Sequence, residues 1–477
     1  MNIFILTEEK PKISVIKQLI EIYKSDFGAS YTLSSKQSVI PIFKNNLFTF
    51  TYKVEGISVK GIDSILIKTV SGESSFMDFL FYVQENAPVE NSETETPLFA
   101  VEETKTSDDE SRNTGVFQRC SKFVYIKPYY TIPLYMLYND ELELRESKKP
   151  SDTSIFGTNM LLTCGVKIVG KPIAKWFYKF NTIDELIDFK NSMRKPPEGN
   201  TPITIKKDGD IIYISGRLDK PKNEGKIAHD PNIGALTMIS NTLRLLGWTG
   251  RIIITMHGVE QQYIDNLNHG NKFLYIADLL GIELENITIR HRFPMADSYW
   301  HYEMSSEKMA SILFHVSCEY VGLKEVYQNH AGCERGYFKT ASGSLLTVPK
   351  YCGENSSGNT IALENKNTPA MNKRNLLIPD VIMRDDERKI IYLIEGKKLS
   401  TIDAGLKEIQ EYDDIEGLYV RKYFPGYTIK RYLTIFGGRH TSLVNDKILL
   451  YLSNDGTTII NDAEKNLKEK IKKAIID

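Results

Sequence analysis

The sequence predicts a mixed fold, α+β in its first part and α/β further on, with mixed central sheets flanked by helices. Three stretches carry that expectation. The N-terminal part reads as a helix, several apolar strands and a second helix. The centre pairs the helix pattern "NIGALTMISNTLRLLG" with the short strand "GRIIITMHG". The last part follows the helix pattern "SSEKMASILFHVSCEYVGL" with two apolar strands joined by a charged turn, "PDVIMRDDERKIIYLIEGKK". A polar, turn-rich run from Tyr138 to Ser154 marks the first boundary. The expected parts are 1–145, 146–295 and 296–477, the middle one an α/β region joining the other two.

Composition bounds the class. The chain has 477 residues, 41% of them apolar and 25% charged, enough for several domains with full cores and ordinary for a globular protein. Lys+Arg of 60 against Asp+Glu of 61 leaves a net charge of -1, so any nucleic-acid surface must be local. Five cysteines without tight pairing, and an N-terminus "MNIFILTEEKPK" unlike a signal peptide, point to a reduced, cytoplasmic protein. No apolar run reaches the roughly 18 residues that a membrane span needs.

Taken in order, "ISVIKQLIEIY" has the spacing of an amphipathic helix, and "NNLFTFTYKVEG", "IDSILIKTV", "SFMDFLFYVQ" and "LFAVEETK" read as strands. Ser107, three residues before Glu110, is a capping-box pattern that starts a helix running to about Lys122. In the C-terminal hairpin, a turn centred between Asp386 and Glu387 sets Asp380 opposite Leu393, two residues from Glu395. Glu395 and Lys397 are one residue apart, so on a strand they point to the same face. Two carboxylates and an ammonium then converge at one sheet end. Mg²⁺ takes one or two carboxylates and keeps several waters, so this donor set suits it, and a neighbouring lysine can orient the attacking water.

Pro379-Asp380, fourteen residues, then Glu395-Gly396-Lys397 resembles the signature of the PD-(D/E)XK nuclease superfamily. The resemblance implies Mg²⁺-dependent phosphodiester hydrolysis that leaves 5′-phosphates. It implies Asp380 and Glu395 as metal ligands, Lys397 as the catalytic lysine, and a helix over "TIDAGLKEIQEYDD" in which Gln410 holds DNA or water. A second, weaker copy lies near the N-terminus. If the loop "ENAPVENSETETP" centres near residue 91, Asp78 faces position 104, between Glu103 and Lys105. The second site is therefore expected to be Asp78, Glu103 and Lys105, with Asp63 as the alternative aspartate, because no proline precedes Asp78.

Two sites in one chain suit the two strands of a duplex, and non-identical domains suit an asymmetric sequence. The expectation is thus two restriction-endonuclease-like PD-(D/E)XK domains in a Mg²⁺-dependent type II restriction endonuclease. It would act on double-stranded DNA as a monomer or homodimer, beside a cognate DNA methyltransferase acting on the same site. The alternatives are a repair or recombination nuclease using only the C-terminal site, and a DNA-binding protein that cuts nothing. Candidate DNA contacts are Gln118 and Arg119 on the helix after the first site, Gln410 after the second, and Arg217 and Lys220. The last two belong to the run Lys190 to Lys226, where nine basic residues stand against five acidic ones. His229-Asp230 and His257 could form a polar cluster at one sheet edge, although helix capping by Asp230 or Asn232 accounts for that segment as well.

Two motifs point elsewhere. "GVKIVGKP" has the spacing of a phosphate-binding loop, but Pro172 stands where a Ser or Thr hydroxyl should hold Mg²⁺, which excludes it. His315-x-x-Cys318 and, after eleven residues, His330-x-x-Cys333 have pair spacings that zinc could use, yet His315 and Cys318 lie on an apolar helix pattern.

Overall fold

A computed structural model describes residues 1–476 apart from 73–75, 105–114, 140–149, 171–174, 194–202, 217–230, 257–259, 267–271, 291–294, 304, 331–335, 365–366 and 440–444. The fold is mixed α+β, with several mixed sheets flanked by helices. None of the described helices is long and apolar enough to cross a membrane.

The chain starts with β1 (Asn2–Thr7), α1 (Ile13–Phe27), β2 (Tyr31–Lys44), β3 (Leu47–Val59) and β4 (Ser64–Gly72). Helix α1 forms where the apolar spacing predicts it and buries Val15, Ile16, Leu19 and Ile20. Its end is set by Gly28, which turns left-handed at φ 73° and donates back to Lys24 O. The strands order as β2-β3-β4-β1, with β1 parallel to β4.

Next come β5 (Phe79–Gln84), β6 (Phe99–Thr104), α2 (Gly115–Tyr125), β7 (Leu134–Tyr138), α3 (Asp152–Thr163) and β8 (Lys167–Val169). Strand β5 is antiparallel to β6, and β6, β7 and β8 run parallel. A second sheet follows from β9 (Thr204–Asp208), β10 (Ile211–Gly216), α4 (Pro231–Leu245), β11 (Arg251–Met256) and β12 (Ile282–Leu284), in the order β12-β11-β10-β9.

The last part holds α5 (Lys308–Tyr320), β13 (Lys324–Gln328), β14 (Val381–Asp385), β15 (Ile390–Lys398), α6 (Ile402–Glu408), β16 (Thr428–Phe436), β17 (Ile448–Leu452) and β18 (Thr458–Ile460), with smaller sheets between β13 and β14. Its sheet orders as β13-β14-β15-β16-β17-β18. Strand β15 is nearly continuously apolar because it is central, antiparallel to β14, parallel to β16, and packed against both α5 and α6. Ile382, Ile391, Leu393, Leu433 and Tyr412 meet in the core beneath the strand ends.

The tertiary contacts do not follow the expected division into 1–145, 146–295 and 296–477. They group the chain into two compact units: unit 1 is Met1–Val70, Gln84–Asn86 and Tyr302–Asp477, and unit 2 is Ser71–Val83 and Ala87–His301. In unit 1, distant segments are tied by Lys10 to Glu319 at 2.6 Å and by Phe48 N–H to Gly456 O at 2.8 Å, and α5 packs on β2. In unit 2, α2 packs on α3 and α4, so the Asp78-bearing strands share a body with the middle region.

Candidate active site

The hairpin of unit 1 brings its carboxylates together more directly than expected. Its register pairs Val381 with Ile394 and Asp385 with Ile390, so the turn centres between Glu387 and Arg388, and Asp380 lies level with Glu395 instead of Leu393. The turn is held by Asp385, whose carboxylate accepts from Arg388 N–H at 3.0 Å and from its Nε at 2.8 Å. Lys389 closes it at a positive φ of 56°.

At the strand end the two acids interlock through the backbone. Asp380 N–H donates to Glu395 Oε2 (3.3 Å), and Gly396 N–H donates to Asp380 Oδ2 (2.9 Å). A Cβ on Gly396 would stand only 2.9 Å from that same Oδ2, so a side chain there would collide with the acid. Glu395 is further held by Tyr412 Oη (2.6 Å) and by Lys397 Nζ (2.6 Å on Oε1), and Lys397 also reaches Glu408 Oε2 at 2.8 Å. Gly405 of α6 lies against Lys397 Cγ, so the absence of a side chain lets this helix close over the lysine stem.

The charges do not balance. Three carboxylates (Asp380, Glu395 and Glu408) face one ammonium. Burial and then the charge of Glu395 push the Asp380 carboxyl well above its ordinary range, and burial and then Glu408 push Glu395 up. Burial works against the Lys397 ammonium, but Glu395 and Glu408 outweigh it and raise its pKa. Acceptor-only oxygens with surplus negative charge are the donor chemistry of a hard divalent cation, and Asp380 and Glu395 fit Mg²⁺ as ligands.

Unit 2 repeats the interlock with a different partner. Phe79 pairs with Val101, which sets Asp78 level with Glu102 rather than with position 104. Asp78 N–H donates to Glu102 Oε2 (3.2 Å) and Glu103 N–H to Asp78 Oδ2 (2.8 Å). Glu103, the expected ligand, instead accepts from Asn139 Nδ2 at 2.7 Å. Adjacent strand residues point to opposite faces, so only one of Glu102 and Glu103 can face Asp78. Lys105 lies outside the described residues. The ammonium here comes from α2: Lys122 Nζ lies 3.0 Å from Asp78 Oδ1 and 2.7 Å from Glu102 Oε1. Arg119 Nε sits 3.5 Å from Glu102 Oε1 and donates to Glu103 O at 2.8 Å. Burial raises Asp78, yet Lys122 and Arg119 outweigh it and bring its pKa below the usual value. Burial and the charge of Asp78 push Glu102 up to about 8. The alternative aspartate, Asp63, pairs with the Met1 amino group at 2.9 Å.

The other expected residues divide as follows. Arg119 is buried against Glu102 and Glu103 instead of facing outward as a DNA contact. Gln410 is exposed on the turn after α6, and its carbonyl accepts from Arg431 at 2.9 Å. The side chain of Gln118, and Arg217, Lys220, His229, Asp230, His257 and Cys333, lie outside the described residues. Gly165 to Gly170 runs through β8, a strand, and not through a phosphate-binding loop. Zinc at His315, Cys318 and His330 meets another obstacle. His315, Glu319 and Glu325 do bring ligand atoms within 4.8 Å of one another. Lys10 Nζ already stands among them, 2.6 Å from Glu319, 3.5 Å from Glu325 and 3.2 Å from His315 Nε2, so an ammonium supplies the positive charge there.

Glu102, Lys122, Glu408 and Tyr412 were not anticipated. The spacing Glu408 to Tyr412 is a helical i,i+4 pair, the one sequence signal that could have marked both. No family model matches the chain, and no curated protein or solved structure matches it.

Proposed function

We propose that the chain is a Mg²⁺-dependent endodeoxyribonuclease of the PD-(D/E)XK superfamily, a type II restriction endonuclease whose chemistry resides at Asp380, Glu395 and Lys397. The observation that carries this is the surplus of carboxylate over ammonium where Asp380 and Glu395 interlock across β14 and β15. The order α5, β13, β14, β15, α6, β16 supports the superfamily assignment.

Asp380 and Glu395 would hold the metal, which supplies a more acidic bound water and charge compensation at the phosphate. Tyr412 and Lys397 fix the two oxygens of Glu395, so that carboxylate is oriented before substrate arrives. Lys397, held between Glu395 and Glu408, keeps its proton and serves as a donor to the attacking water or to a non-bridging phosphate oxygen. Double-stranded DNA is the proposed substrate, with a methyltransferase protecting the same sequence.

The second reading is a repair or recombination nuclease with this one site. Lys122, seated between the two acids of unit 2, favours it. Plasmid digestion with and without Mg²⁺ separates the cases. Discrete fragments support restriction, smearing or structure-specific cutting supports repair, and intact DNA with a gel shift removes the nuclease altogether. If both units cut, Asp78→Ala leaves nicked circles; if unit 1 alone does the chemistry, Asp78→Ala still linearises plasmid.

A further inference from the structure

A chain of buried polar groups crosses unit 1 and ends against the proposed metal site. Lys10 Nζ is 3.2 Å from His315 Nε2, His315 Nδ1 is 3.0 Å from His330 Nε2, and His330 Nδ1 is 2.9 Å from Ser311 Oγ. Ser311 Oγ donates onward to Lys308 O at 3.1 Å. Lys10, His315 and Ser311 are almost fully buried, so these groups have little access to water and depend on one another.

The direction of the chain follows from donor chemistry. Ser311 Oγ gives its one proton to Lys308 O, so it accepts from His330 Nδ1–H, and a neutral His330 then accepts at Nε2 from His315 Nδ1–H. His330 is then neutral and donates from Nδ1 to Ser311. Burial, with the charges of His315 and Lys10, lowers its pKa well below that of a free histidine.

The far end touches the chemistry. A Cβ on Gly396 would stand 3.2 Å from Ser311 Oγ and 3.3 Å from Glu307 O, so the first turn of α5 is packed directly onto the peptide whose N–H orients Asp380. The segment beside His330 binds the other side of Asp380, with Asn329 N–H on Asp380 O at 2.7 Å.

We propose that His330, anchored by His315 and acting through Ser311, is a positioning residue of the metal site: it holds α5 against Gly396 and so fixes the orientation of the Asp380 carboxylate. This rests on the reading of Asp380 and Glu395 as metal ligands. Outer-shell partners that orient ligands typically change metal affinity about 10- to 100-fold when removed.

The test is calorimetric titration of the full chain with Mn²⁺, alongside thermal unfolding and DNA-cleavage kinetics. His330→Leu is expected to weaken Mn²⁺ binding about tenfold and to lower kcat while leaving KM for DNA unchanged. His330→Asn places an amide donor where Nδ1 was and is expected to restore most of the affinity. Ser311→Ala, a small change that keeps the helix, is expected to behave as His330→Leu does and carries the test if the leucine variant does not fold. Wild-type affinity in Ser311→Ala, or His330→Asn as weak as His330→Leu, overturns the proposal while leaving the metal site standing. If Asp380→Ala binds Mn²⁺ as the wild type does, the metal-site reading fails and the positioning role falls with it.

Discussion

In unit 1 Gly396 N–H binds Asp380 Oδ2 and Asp380 N–H binds Glu395 Oε2; in unit 2 Glu103 N–H binds Asp78 Oδ2 and Asp78 N–H binds Glu102 Oε2. The four distances agree between the units to 0.1 Å (2.9 and 3.3 against 2.8 and 3.2), so the backbone builds the same pair of acids twice. What surrounds the pair differs. Unit 1 sets Lys397 beside Glu395 and draws it toward a third acid, Glu408, whereas unit 2 seats Lys122 between both acids and adds Arg119. The aspartates respond in opposite directions, Asp380 raised and Asp78 lowered. A carboxylate pair is thus a scaffold with two electrostatic outcomes: short of positive charge both acids are pushed toward their neutral forms, which the proposed cation would reverse, and with an internal ammonium the aspartate is held ionised.

The widest separation between the units is expected in activity. Asp380→Ala should reduce Mg²⁺-dependent cleavage by about 10³-fold, the factor that about 4 kcal/mol of lost transition-state stabilisation gives. Asp78→Ala should leave the rate of the first cut near wild type. Single-turnover plasmid kinetics measures both, and equal losses in the two variants would mean that the two units do the same chemistry.

Stability should reverse the ranking. Lys122→Met strands two buried acids without their cation and is expected to cost about 3–5 kcal/mol in chemical denaturation. Lys397→Met should cost less, because Asp380 and Glu395 are already pushed toward their neutral forms and can hold protons in place of the lost ammonium, whereas Asp78 is held ionised. A more delicate contrast comes from amides. Asp380→Asn keeps an acceptor for Gly396 N–H and removes like-charge repulsion, so in EDTA it should raise stability by about 1 kcal/mol. Asp78→Asn removes a partner of Lys122 and should lower it. The same sign in both variants would show that the two environments are electrostatically alike.

How far the sequence announces these sites depends on loop length. The turn in unit 1 is short, so the pairing of Asp380 with Glu395 and the shared face of Glu395 and Lys397 are legible from "PDVIMRDDERKIIYLIEGKK"; only the turn centre shifts by one residue. In unit 2 fourteen residues separate the strands, register is free, and a misplaced centre exchanges Glu102 for Glu103 on the face that matters. Lys122 is hidden for another reason: it arrives from a helix, and no strand periodicity points to it. The division of the chain is equally hidden, since the ties between Lys10 and Glu319 or Phe48 and Gly456 are long-range and leave no local pattern. Glu408 and Tyr412 were within reach, given α6 and its i,i+4 spacing, but Gln410 lies between them and turns outward.

The smallest effect expected is in the pH dependence of unit 2. Glu102 titrates near 8 in the folded chain, above an unfolded carboxyl of about 4.3, so the folded state holds its proton more tightly. Stability from this group is therefore fully present below about pH 4.3 and is lost as pH rises toward 8. Asp78 has the opposite sign, since its lowered pKa contributes stability that disappears only as pH falls through the acid range, well outside this window. Between pH 7 and 8, above the range in which the lowered pKa of His330 gives a slope of the opposite sign, the unfolding free energy should thus decline with pH, with a slope below the limit of about 1.4 kcal/mol per unit that one full proton gives. Asp380 and Glu395 are raised as well and add a slope of the same sign, which Mg²⁺ should suppress by holding both acids ionised. Glu102→Gln imitates the protonated acid, so with saturating Mg²⁺ it should remove the declining contribution, raise stability at pH 6, where the unfolded wild-type acid is already ionised, and match the wild type near pH 4. An unchanged slope in that variant would mean that Lys122 keeps Glu102 ionised throughout, and unit 2 would then be a plain salt bridge at every pH tested.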